Sequence, residues 1–394
     1  MPQQKTSLWV GLGKETVTGT FAPPVDWIPV LAFDGFNNVH YIADKGIRGS
    51  AVEVYGYVPA QGEGEISFSG DVFPESIPRV LLGLMGELAS VTTRTVSDGV
   101  TTISAATITS ATAAFTQADI GRTVTAGSNF AANTTIIGIT SATVAVTSTA
   151  ATASGTALAL VVGTTAQYAH NITVLNTAPM VPPTYSLTVY NGVTYEGYTG
   201  LLFSEAAFKF AADGLLGYSC KALGNLSATQ TGPYTAAFNA NPPIASWTGS
   251  MSFAGTVTAL LESADVTIKR PVNPIPNIDT VQSPYKIWPG ALSCGGKAMF
   301  IYESDAIAIT PYKAGTIQAA VLNFSTGTGA AKRSLQFVMS KLLFINPTKP
   351  VWAKDYVQTD STFEAVANTT DAGASAGYCP VRAQLQSAIT AYTT

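Results

Sequence analysis

The side chains able to do chemistry are few and scattered. Histidine occurs twice, at His40 and His170, and neither sits at a His-x-x-x-His or Cys-His spacing that would aim two ligands at one metal. Both read as structural. Cys220, Cys294 and Cys379 are odd in number, far apart and without a Cys-x-x-Cys, which gives neither a disulfide framework nor a zinc pattern and suits a reducing compartment. Gly11-Leu-Gly13-Lys14 invites comparison with a phosphate-binding loop. That loop needs Gly where Leu8 stands and Ser or Thr where Glu15 stands, and a dinucleotide fingerprint fails at Thr16. Glu63 and Glu65 lie two apart on an alternating strand and so share a face, one way to present a carboxylate pair for acid–base work. A solvated strand edge explains them better. Tyr55, Tyr57, Tyr185, Tyr190, Tyr195 and Tyr198 could stack on sugars or bases, but tyrosine is also a common cross-strand partner. With no Gly-x-Ser-x-Gly elbow either, the residues point away from an enzyme and from any metal or cofactor.

Composition says what elements hold these residues. Charged residues make up 11% of the 394, against roughly 25% in ordinary soluble domains, while apolar residues stand at 46%. Thr, Ser, Ala and Gly replace the missing charge, and 35 Gly with 22 Pro favour short strands and tight turns over long helices. A net charge of −4 leaves no basic footprint for phosphate backbones, which argues against tight nucleic-acid binding. The N-terminus lacks the apolar run of a secretory signal, and no stretch reaches the ~18 apolar residues of a membrane helix. The chain is expected to start out cytosolic and soluble, without membrane insertion.

Along the chain, Leu8–Glu15 and the proline-rich stretch to Val30 read as an extended arm, because proline cannot pair in a central strand. Residues 35–62, rich in Gly and polar groups, read as a long connection of the kind that is often functional. Glu65-Ile-Ser-Phe-Ser69 alternates as a half-buried strand. Ser76 is placed to cap a helix on which Ile77, Val80, Leu81, Leu84 and Met85 recur at helical spacing, with Pro78 tolerated in the first turn. From about Val91 the composition shifts: between Gly99 and Gly163 only Asp119 and Arg122 are charged, which marks residues 91–165 as an inserted β-rich domain, Ig-like or similar. Residues 1–90 and 166–394 are then two parts of one domain. Inside the insert, Ile108-Thr-Ser-Ala-Thr-Ala-Ala114 is echoed by Ile139-Thr-Ser-Ala-Thr-Val-Ala145, two candidate equivalent strands of a duplicated hairpin unit. Alternation returns in Tyr185–Tyr190, Phe208–Phe210, Val266–Ile268 and Leu335–Met339. Val381, Leu385, Ala388, Ile389 and Tyr392 suggest a short C-terminal helix.

Several blocks resemble the tail tube proteins of long-tailed bacteriophages. They are Leu12-Gly-Lys-Glu-Thr16 with Gly19-Thr20 and Pro23, Ile28-Pro29-Val30, and Gly46-Ile-Arg48-Gly49-Ser50. Glu65–Gly70 leading to Pro74 and Leu81-Leu-Gly-Leu-Met-Gly86 follows, then Tyr168-Ala-His170, Pro183–Thr188, Tyr198-Thr-Gly200, Phe208–Gly214 and Gly249-Ser-Met-Ser-Phe253. The resemblance covers residues 8–88 and 166 to about 310, and its force lies in the order of the blocks.

The resemblance implies a mainly β fold, a β-sandwich or barrel-like subunit with one flanking helix. It implies a structural virion protein of the tail, assembled in the host cytoplasm, with six copies in a ring and rings stacked into a hollow tube that DNA crosses without specific binding. Tape measure and tail terminator or tip proteins are the implied partners. Residues 35–62, with Asp44, Lys45, Arg48 and Tyr55, become the candidate inter-ring loop; Glu63, Glu65 and Asp213 become candidates to face the lumen. An acidic or neutral lumen would let a polyanion slide. The rival reading makes the insert an adhesin that contacts host glycans, with avidity from many copies.

Overall fold

Apolar–polar alternation with a period of two sets the architecture. The structure, a computed structural model, describes residues 8–392 apart from 50, 92, 116–118, 120–121, 133, 164–167, 259, 279–280, 328–331, 349, 353–355 and 390–391. The chain begins with β1 (Trp9–Lys14), β2 (Asp26–Ile28), β3 (Ala32–Asp44), β4 (Gly56–Asp71), helix α1 (Ile77–Met85) and β5 (Gly86–Val91). Next come β6 (Arg94–Thr101), β7 (Thr107–Thr109), β8 (Thr123–Ala126), β9 (Ile136–Ser141), β10 (Val144–Thr147) and β11 (Gly155–Gly163). The chain continues through β12 (Tyr168–Val174), β13 (Tyr185–Tyr190), β14 (Tyr195–Ala211), β15 (Gly217–Gly224), β16 (Ala228–Gln230), β17 (Ser250–Phe253) and β18 (Thr256–Thr258). It ends with β19 (Leu261–Lys269), β20 (Val272–Ile275), β21 (Lys286–Pro289), β22 (Ser293–Ile301), α2 (Ile309–Ala314), β23 (Gln318–Thr326), β24 (Arg333–Ile345), β25 (Val351–Trp352), β26 (Val357–Ala365) and β27 (Arg382–Ser387). The fold is mainly β with helix α1 on its flank, as the resemblance implies.

Two antiparallel layers face each other. In the front layer the pairing runs β3, β4, β15, β14, β19, β22, β26. The back layer runs β5, β12, β27, β24, β23, β17. Strand β24 bends between them, pairing β27 with its first half and β26 with its second. Aromatic side chains interlock across the gap: the rings of Phe208 and Phe337 lie 4.8 Å apart and those of Phe210 and Phe324 4.7 Å apart. Such tilted pairs add packing energy beyond their buried area.

Helix α1 is buried on every side and presses onto β14. Ser76 holds its N-cap position but gives no side-chain cap, so the helix is fixed by packing; Gly86 closes its C-terminus in a left-handed conformation. Arg79, 3% exposed, anchors the helix from within: its Nε lies 2.6 Å from Asp26 Oδ2, and its Nη1 donates to the Tyr392 carbonyl at 2.6 Å.

A second core belongs to β6–β11, which form a separate six-stranded sheet in the order β8, β11, β6, β7, β10, β9. The two charges of this charge-poor stretch are turned inward. Asp119, 1% exposed, pairs with Arg122 at 2.6 Å and with Arg94 at 3.0 Å, and Arg122 also donates to the Val162 carbonyl. The repeated Ile108 and Ile139 do occupy equivalent places, since both pair with Ala145 from opposite sides of β10. The hairpin is not duplicated, however. After Ile139 the copy turns back into β10, whereas after Ile108 the chain leaves the sheet, with the Ser110 side chain held by Asp98.

Three further expectations are corrected. The Leu8–Glu15 segment is no arm: β1 is a buried strand between β13 and β2, because the prolines stand in the connector after it. Residues 35–62 are not one long loop but most of the β3–β4 hairpin, whose turn is confined to 45–55. The C-terminal segment is not helical either. Val381, Ala383 and Leu385 alternate with Arg382, Gln384 and Gln386, and β27 inserts between β12 and β24 with both faces buried. Pairing on both edges satisfies the backbone of a buried segment in a way that two helical turns there would not.

Candidate assembly surfaces

The front layer has one apolar and one wet face. Ile66, Phe68, Cys220, Ala222, Phe208, Val266, Ile268, Ala298 and Phe300 point inward, and the intervening residues of the same strands point out. Burial pushes the Cys220 thiol and the Tyr218 phenol far above their ordinary ranges, so neither ionises beneath this face.

The wet face carries most of the sheet's charge. Following the register outward from β3, the aligned residues include Asp34, Glu63, Glu65, Lys221, Glu205, Lys209, Lys269, Asp265, Lys297, Asp360 and Glu364. Carboxylates outnumber ammonium groups, so the face is acidic. Cross-strand bonds tie it together. Asn38 Nδ2 donates to Glu65 Oε1 at 2.9 Å and to Glu63 Oε1 at 3.3 Å, where His40 Nε2 also lies 3.3 Å away. Lys297 pairs with Asp360 at 2.6 Å, while Glu205 sits between Lys221 and Lys269. Gly296 admits the close approach of β19 here, since a Cβ would lie 2.0 Å from the Asp265 carbonyl oxygen.

Beyond Asn38 and Glu63 the β3–β4 hairpin continues as an arm. Tyr41 and Ile42 on β3 and Tyr57 and Val58 on β4 are each 60–67% exposed. Their register puts Tyr41 and Tyr57 on one face of the ribbon and Ile42 and Val58 on the other. The arm's base is braced by the loop after β20: Gln61 Nε2 donates to the Asn277 carbonyl at 2.7 Å and Gln282 Nε2 to the Ala60 carbonyl at 2.9 Å. At the tip the backbone N–H of Tyr55 donates to the Asp44 carbonyl, Lys45 pairs with Glu53 at 2.6 Å, and Arg48 pairs with Asp44 while its guanidinium lies 4.8 Å from the Tyr55 ring centre.

The structure therefore brings Asp44, Lys45, Arg48 and Tyr55 into one cluster at the arm's tip, and Glu63 and Glu65 side by side on the wet face. Asp213 is apart from them, on the exposed β14–β15 turn; by register that turn lies at the Asp71 end of β4, away from Glu63. Sequence reading missed Asp34, Glu205, Asp265, Asp360 and Glu364, although the inward residues between them alternate and gave the signal. His170 is structural in setting: it is fully buried, 2.8 Å from the Ile389 carbonyl and edge-on to Tyr392.

The exposed apolar groups of the arm mark it as an interaction surface. A family model described as phage tail tube protein matches residues 9–367. The chain belongs to the phage tail tube protein family. No curated protein matches it. The match runs from β1 to the end of β26, so it includes the whole front layer and the arm. Membership makes the chain a structural component of the virion tail, and a tail tube protein self-assembles into a tube.

Proposed function

We propose that six copies of this subunit close into a ring, that rings stack helically into the tail tube, and that the wet face of the front layer lines the channel. The observation that carries this reading is the face itself: seven adjoining strands, acidic on one side, ending at β3, which among the described residues pairs only with β4. A long unpaired edge is a template for another strand, and ring closure removes it. Glu63 and Glu65 then face DNA, and an acidic wall gives a polyanion few counterion-exchange contacts during ejection. Asp213, on the turn, sits at one rim.

The β3–β4 arm is the inter-ring element in this proposal, with Asp44, Lys45, Arg48 and Tyr55 at the contact. A two-stranded ribbon with apolar groups on both faces is marginal in water and gains stability when sandwiched. Residues 91–165 act as an inserted domain on the outside of the tube. Tape measure and terminator or tip proteins would meet the ring's inner wall and its ends, the host cytoplasm is the place of assembly, and the chain performs no catalysis.

Negative-stain microscopy of the purified protein at rising concentration tests the reading. Rings or tubes with a stain-filled channel are expected. A strict monomer at every concentration, absent also from virion tails, would overturn it.

A further inference from the structure

The two ends of the front layer carry complementary shapes. At one end, the turn of the arm spends its charges on itself: Lys45 pairs with Glu53, Arg48 pairs with Asp44, and the Asp44 carboxylate also accepts from the backbone N–H of Gly46. Ile47, inside this turn, is fully exposed, and Val52 of the same turn is more than half exposed. A turn ordered by its own ion pairs loses little freedom on docking, and what it presents to a partner is aliphatic.

At the other end a cavity of about 200 Å3 opens between the layers, walled by Phe210 of β14 and Leu261 of β19 from the front and by Met251 of β17 and Phe324 of β23 from the back. Trp247, on the short 3-10 turn Ser246–Thr248, also lines it and is 74% exposed. The one charged residue lining it among those described, Glu262, accepts a hydrogen bond from Gln358. The volume lies below the range of ligand pockets and suits a single side chain. By register, Lys209 aligns through Gly217 with Asp71, so Phe210 lies at the Asp71 end of β4, whereas the arm's turn follows from the Gly56 end. The 16 residues of β4 span roughly 50 Å, too far for the tip to reach the cavity of its own subunit. A knob and a hole at opposite ends of one molecule make a heterologous contact, which repeats head to tail into an open filament. Self-assembly into a tube makes a second copy of this chain the occupant.

We propose that Ile47 at the arm's tip seats in the Phe210–Trp247 cavity of a subunit in the next ring. The proposal gives the arm its receptor, and it rests on the reading of the arm as the inter-ring element.

The test mixes two single-cysteine variants of the full chain, Val52→Cys at the tip and Ala212→Cys at the cavity, lets them assemble, and adds a short bis-maleimide linker. The native Cys220, Cys294 and Cys379 are buried, so the added thiols are the ones that react. A covalent dimer is expected on a denaturing gel when both variants are present in tubes, and neither variant alone should give it. In parallel, Ile47→Asp and Trp247→Ala should each raise the protein concentration needed for tubes by about tenfold. Both side chains are exposed, so melting temperatures should stay at the wild-type value. Tubes that form without the cross-link, or that form from Ile47→Asp at the wild-type concentration, overturn the proposal while leaving the tube reading intact. A cross-link that forms equally in unstacked rings also overturns it, by placing the contact within a ring. The arm reading is scored separately by the Ile42→Glu, Tyr57→Glu protein: normal tubes from that variant would remove the arm from the inter-ring contact and this proposal with it.

Discussion

Arg79 of helix α1 and Asp26 of β2 form an ion pair at 2.6 Å, and the same guanidinium holds the carbonyl of Tyr392 near the other end of the chain. One buried cation thereby joins three segments remote in sequence. Burial raises the Asp26 carboxyl above its ordinary range, and Arg79 opposes that shift. Arg79→Met would leave Asp26 without its counter-charge and Tyr392 without its donor. Removing one member of a buried pair costs about 3–5 kcal/mol; Asp26 retains 26% exposure, which places this variant at the low end. Urea unfolding at neutral pH checks it, and a loss under about 1 kcal/mol would contradict the assigned role.

Ile42 and Tyr57 offer a test of the arm that spares the fold. Both are more than 60% exposed and lie on opposite faces of the ribbon. Surface changes of this sort alter stability by about 0.5 kcal/mol or less. The double variant Ile42→Glu, Tyr57→Glu should therefore melt as wild type while failing to form tubes, since two charges would be buried between subunits. Tubes of normal length from this protein would remove the arm from the inter-ring contact.

How far the sequence carried this picture differs from element to element. Helix α1 was legible because its apolar residues keep a 3.6-residue period, and β13, β14 and β24 because theirs keep a period of two. Strand β27 was misread: Val381, Leu385 and Ala388 fit helical spacing, and only the partners on both edges show that Val381, Ala383 and Leu385 form the relevant set. The arm was hidden for a different reason. Its apolar residues appear on both faces and are exposed, so no periodicity tied to a monomer's core marks them. Glu63 and Glu65 could be placed on one face by local spacing, but their alignment with Glu205 and Asp265 depends on pairing between strands more than a hundred residues apart, which a single sequence does not encode locally.

Acid should weaken the subunit through His170. Burial lowers its pKa below the ordinary 6.5, so the native state holds the neutral ring whereas the unfolded chain takes up a proton more readily. This contribution is fully present above about pH 6.5 and is lost as pH falls through the folded value. The denaturation midpoint of the wild type should fall between pH 7.5 and pH 5.5, about a unit either side of that point. In His170→Leu the midpoint should begin lower and stay flatter over the same range; an equal slope in both proteins would assign the acid sensitivity to other groups.

Gly83 sets two effects against each other. Alanine in a helix interior is favoured over glycine by about 1 kcal/mol. At this position, however, a Cβ would lie 2.4 Å from Cδ2 of Phe203 and 2.9 Å from Cε2 of Tyr185, rings with almost no exposure and no room to retreat. Overpacking costs about 1–3 kcal/mol, so Gly83→Ala should be destabilising on balance. Thermal unfolding decides the sign, and a raised melting temperature would mean that the helix can move away from β14.

The six-stranded sheet should be removable. The chain leaves the main fold at the end of β5 and returns at the start of β12, and Val91 and Ala169 are cross-strand partners. The insert therefore occupies the place of a hairpin turn, with its two ends already brought together. Its own core is separate, and the Arg94–Asp119–Arg122 cluster satisfies its buried charges. Replacing residues 93–167 with Asn-Gly, a pair suited to the tight turn of a two-residue hairpin, should leave β5 and β12 in register. The cost is exposure of back-layer groups beside the insert, among them Gln336, whose uncharged polar side chain water can satisfy directly. Excision should thus preserve a folded subunit and tubes of normal channel width with a smoother outer wall. An aggregated or unfolded product would show instead that the insert is needed to cover the back layer, and that it is a structural half of the subunit and not an appended domain.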